Sequence, residues 1–103
     1  MRETAARSVR ERYGFRKNDI VLIWAIGSGQ EVFYVRGAWR AKGSPPKRMD
    51  EPAVARLLAT GLAMLIHGGR QVVLTPEGRK VYEELRDNPY ARARKKQIEG
   101  AAA

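Results

Sequence analysis

The stretch "GLAMLIHGGRQVVLTPEGRKVYEEL", residues 61–85, decides how this chain folds. Leu62, Met64 and Ile66 alternate with Ala63 and Leu65, which is the two-residue period of a strand. Gly68-Gly69 supplies positive φ at no steric cost, and "RQVVLT" runs back as a partner, so a β-hairpin is predicted over Leu62 to Leu74 with its tip at His67 to Arg70. Thr75 then caps a helix, with Pro76 at its first position and Glu77 facing the positive end of the helix dipole. Within that helix Val81 and Leu85 share the inward face, and Arg79/Glu83 and Lys80/Glu84 are expected as exposed pairs one turn apart. Asn88-Pro89 ends it.

Working outward, "MDEPAVARLLATG" announces a helix: Asp50 caps it, Glu51 and Pro52 fill its first turn, Val54, Leu57 and Leu58 form one apolar stripe, and Gly61 ends it. Before it, the consecutive prolines of "KGSPPKR" exclude a helix and remove two donors, so a loop is expected. "QEVFYVRGAWRAKG" reads as one extended or bulged strand interrupted at Gly37. "KNDIVLIWAIGSG" is open between two readings. Its β-branched content favours a strand, whereas Asn18 as a cap, Asp19 in the first turn and Gly27 just past the end favour a helix, the reading adopted. A short amphipathic helix over residues 3–13, ending at Gly14, completes an α+β pattern of helices and a β-hairpin.

Composition bounds the function. A chain of 103 residues, 44% hydrophobic and 30% charged, supports one packed domain, expected over residues 1–90 with a basic tail over 91–103. Twenty Lys and Arg against eleven Asp and Glu give +9, which points to an anionic partner. The excess is uneven: +4 over residues 1–17, +3 over 18–48, zero over 49–74 and +2 over 75–103. With no cysteine there is neither a disulfide framework nor a thiolate nucleophile. The N-terminal "MRETAARSVRERYG" lacks the apolar core of a signal peptide, and no apolar run approaches the roughly 18 residues of a membrane span, so a cytoplasmic protein without a membrane partner is expected.

The order helix, Gly-Leu, strand, tight turn, strand, Thr-Pro-x-Gly-Arg, helix over residues 54–85 resembles the C-terminal half of winged helix-turn-helix regulators of the MarR and PadR families. The resemblance rests on the Gly-Leu end of the first helix and on "LTPEGR", residues 74–79. It implies a winged-helix-like small domain in which Asp50 to Thr60 is the recognition-type helix, Leu62 to Leu74 the wing and Pro76 to Arg86 the closing helix. By the same token it implies duplex DNA as partner, a role in transcription regulation or as a phage-type DNA accessory factor, and a homodimer built through the terminal helices.

The candidate nucleic-acid-binding residues are Arg56 on the recognition-type helix, Arg70 on the wing, Arg36, Arg40, Lys42, Lys47 and Arg48 in the middle of the chain, and Arg92, Arg94, Lys95 and Lys96 near its end. Trp24 and Phe33 or Tyr34 are expected in the core, which leaves Trp39 as the aromatic most open to a surface role. Aromatic and basic residues interleave over 31–42 in the manner of single-strand binders. The lone His67 lacks partners for a metal site, and "GSGQ" lacks the third glycine of a dinucleotide loop. No catalytic set assembles, so no enzyme activity, metal or cofactor is expected. The alternative is a protein-interaction module on the same scaffold, favoured by the neutral segment 49–74 and the small-residue helix face of Ala55 and Ala59.

Overall fold

The structure, a computed structural model, describes residues 4–87. In chain order these form α1 (Thr4–Tyr13), α2 (Lys17–Gly27), β1 (Val32–Val35), β2 (Ala38–Ala41), β3 (Lys47–Arg48), α3 (Glu51–Ala59), β4 (Ala63–Ile66), β5 (Gln71–Leu74) and α4 (Pro76–Arg86). The described fold is therefore α+β, with four helices and one antiparallel sheet of five strands in the order β3-β2-β1-β5-β4. The expected stop at Asn88-Pro89 and the tail over 91–103 lie outside the described residues.

The segment left open between strand and helix is α2, the central helix, against which α1, α3 and α4 all pack. Its apolar residues surround the axis: Ile20, Leu22, Ile23 and Ile26 are buried, each fully buried side chain stabilising by about 2 kcal/mol, while Val21 and Trp24 face outward. Both ends differ from expectation. Asn18 is not the cap; the Asp19 carboxylate accepts from the Arg16 N–H at 2.8 Å, satisfying a donor that the first turn leaves open. Gly27 is inside the helix, and a Cβ there would run into the Tyr82 ring of α4. Its role is the close crossing of two helices.

Residues 31–42 correct the reading of a single strand. They form a hairpin with register Val35↔Ala38, leaving Arg36-Gly37 as a two-residue turn with φ of 54° and 75°. Positive φ at both central positions is the turn that matches the twist of antiparallel strands. The loop at 43–46 leads into β3, which pairs with β2. Consequently a hairpin and a short edge strand, not a turn of a few residues, separate α2 from α3.

The strands contribute Val32, Trp39, Ala41, Ala63, Val72 and Leu74 to the core, all of one parity in the register. One sheet face thus carries the helices. The other, bearing Phe33, Val35, Arg40, Arg48, Met64, Ile66 and Val73, is covered by none of the described helices. This reverses the expected placement of the aromatics: Trp39 is 8% exposed, whereas Trp24 and Tyr34 are 40% and 44% exposed.

The opening stretch folds as read. β4 and β5 pair from Ala63↔Leu74 to Ile66↔Gln71, and the Thr75 hydroxyl accepts from the Gly78 N–H at 3.1 Å. The structure also explains the glycine of Thr-Pro-Glu-Gly. A Cβ at Gly78 would collide with the Leu62 backbone carbonyl, so only glycine lets the first turn of α4 lie against the start of β4. Farther along α4, Glu84 does not pair with Lys80; it takes the Arg12 guanidinium of α1 at 2.8 Å, while Lys80 lies 4.0 Å from Glu77.

Candidate nucleic-acid interface

The first expected contact, Arg56, is committed elsewhere. From α3 its Nε donates to Asp19 Oδ2 at 2.7 Å and its Nη2 lies 3.9 Å from Asp50. Asp19 is wholly buried, its Oδ1 has no hydrogen-bond partner, and the hydrogen bond it accepts from Arg56 raises the Arg56 pKa above its already high ordinary value. The pair bolts α3 onto α2. What α3 leaves exposed is Glu51, Pro52, Ala55 and Ala59, with Thr60 just past its end, and none of these is a base or an amide to read base edges.

Strand pairing assembles a different set. β1 runs antiparallel to β5 with Val32↔Val72 and Phe33↔Gln71, and the Tyr34 N–H donates to the Arg70 carbonyl at 2.7 Å, one row further. Because β1 ends at the Arg36-Gly37 turn and β5 begins after the His67 to Arg70 turn, both turns lie at the same end of the sheet. Arg36 and Arg70 are both exposed there, and among the described residues neither has a carboxylate partner. Tyr34 stands beside Arg70, its ring edge-on to Trp39 at 5.3 Å. His67, with φ of 54°, is part of the second turn.

The remaining predicted bases divide by face. Arg40 of β2 lies opposite Arg48 of β3 on the open face, its Nε donating to the Val35 carbonyl at 3.1 Å. Lys47, one residue earlier on the edge strand, borders a cleft of about 600 Å³ together with Asn18, Val21, Met49 and Asp50. Lys42 lies away from the turns and sits 3.6 Å from Glu31. Arg92, Arg94, Lys95 and Lys96 lie outside the described residues.

Of the open face, Phe33 is expected from the sequence only as a core alternative to Tyr34, and Gln71 is not singled out at all. Taking Arg36-Gly37 as a hairpin turn would have exposed the first, because that register sets Phe33 against Arg40. Gln71 had no local signal, since its neighbour across β1 is almost forty residues away in the chain.

No protein-family model matches the chain, and no match is found among curated proteins or solved structures. No described helix is long and apolar enough to cross a membrane.

Proposed function

We propose that this protein is a DNA-binding domain of winged-helix-like organisation that holds duplex DNA at the turn end of its sheet, in the manner of a transcriptional regulator or a phage-type DNA accessory factor. The observation that carries the reading is the β1–β5 pairing, which sets the Arg36 and Arg70 turns side by side. Two unpaired guanidiniums on adjacent turns make a positive edge that meets phosphates and releases their counterions. In this arrangement the β4–β5 hairpin is one wing and the β1–β2 hairpin a second beside it.

The absence of reading groups on the exposed side of α3 supports a contact dominated by the backbone, with sequence preference drawn from DNA shape. Arg56 has no part in it. A protein-docking role has one observation in its favour: Val21 and Trp24 stand 42% and 40% exposed on α2, and Val21 borders the cleft beside the start of α3.

Fluorescence anisotropy with a labelled duplex across a salt series separates the readings. Arg36→Ala/Arg70→Ala is expected to shrink the slope of log K against log salt by about 1.8, or 0.9 for each lost phosphate contact. Arg79→Ala/Lys80→Ala, on α4, is expected to leave it unchanged. Equal slopes for wild type and the turn variant would overturn the proposal, and duplex binding absent in wild type would move the assignment to the docking module.

A further inference from the structure

One row crosses the whole open face of the sheet. Arg48 pairs with Arg40, Arg40 with Phe33, Phe33 with Gln71, and Gln71 with Ile66, so one residue from each of the five strands stands in line. At about 4.8 Å between strands the row is roughly 19 Å long.

Its chemistry is specific. Like charges directly opposite each other on neighbouring strands destabilise a sheet, yet Arg40 and Arg48 occupy such a pair, and neither has a carboxylate partner among the described residues. An anion between them removes that repulsion. The hydrogen bond from Arg40 Nε to the Val35 carbonyl fixes its guanidinium on the face. Next in line comes the half-buried ring of Phe33, then the Gln71 amide, 8% exposed. A planar ring next to a pair of cations suits a base attached to a phosphate, the base stacking on the ring. A second copy of this chain supplies no anion to the arginine pair: rows facing in the same sense bring four arginines together, and in the opposite sense Arg48 meets Ile66.

We propose that this open face binds single-stranded nucleic acid, with Phe33 as the stacking platform and Arg40 and Arg48 on the phosphates. The site is independent of the duplex contact at the turns. The strand is held from its flank, where unpaired bases are accessible, and a duplex offers no such base.

The test uses the full chain and labelled oligo-dT, oligo-U, an abasic strand of equal length and a duplex. Wild type is expected to bind oligo-dT or oligo-U about tenfold more tightly than the abasic strand, which keeps the phosphates but lacks the rings. The dT to U ratio tells DNA from RNA as the source. Phe33→Leu is expected to erase the preference over the abasic strand and leave duplex affinity within about twofold, and Arg40→Gln/Arg48→Gln to weaken every single strand. Arg36→Ala/Arg70→Ala is expected to weaken the duplex alone. Equal wild-type affinity for abasic and base-bearing strands overturns the proposal even if Phe33→Leu does not fold. So does displacement of oligo-dT by a polyglutamate peptide at equal charge, which would mark the row as an acidic-protein site.

Discussion

Arg56 of α3 reaches Asp19 of α2 at 2.7 Å, across 37 residues of chain, and the carboxylate it meets is completely removed from solvent. Arg56, expected from the sequence as a nucleic-acid contact, is thereby a structural member. Withdrawing one partner of a buried ion pair strands the other charge, whereas removing both charges is far milder. Arg56→Met is therefore expected to lower the thermal midpoint by about 10 °C. Adding Asp19→Asn, which retains an acceptor for the Arg16 N–H, recovers a substantial part of that loss. Circular dichroism melts of the two variants check this, and a double variant less stable than the single would refute it.

Gly78 sets two effects of opposite sign against each other. Inside a helix, Gly→Ala gains about 1 kcal/mol from propensity. Here the added methyl meets the Leu62 carbonyl, a backbone atom that cannot swing away, and such overpacking costs up to about 3 kcal/mol. The collision wins. Gly78→Ala is expected to lose about 2 kcal/mol net, lowering the melt by roughly 10 °C.

The Arg36-Gly37 turn depends on positive φ at Gly37, where asparagine is tolerated and a β-branched residue is not. Gly37→Asn is expected to leave both stability and duplex affinity near wild type. Gly37→Val strains or remodels the turn, at about 1–2 kcal/mol, and duplex affinity falls with it because Arg36 is displaced. Parallel melts and anisotropy titrations read both effects.

The basic cluster Arg92, Arg94, Lys95 and Lys96 contributes charge whatever its conformation. Replacing all four with Gln is expected to reduce the salt slope for duplex DNA by up to about 3.6 if each meets a phosphate. A variant whose slope matches wild type would leave the duplex contact to the sheet.

Local chemistry alone established much of this protein. Gly-Gly between alternating apolar runs, Asp50 and Thr75 as caps and Pro at the helix starts act within a few residues, so the β4–β5 hairpin, α3 and α4 were legible before any tertiary contact was known. The Arg36-Gly37 turn was also local and was missed, because an arginine at positive φ carries little signal outside the hairpin that holds it. Which side chains meet was decided only by the tertiary structure. The pairing of β1 with β5 brings the turns that hold Arg36 and Arg70 to one end of the sheet and Phe33 to Gln71, and the packing of α3 on α2 turns Arg56 from a surface base into the partner of Asp19. A strand's partner and a buried charge's partner are chosen by the whole core, which the residues flanking either one do not encode.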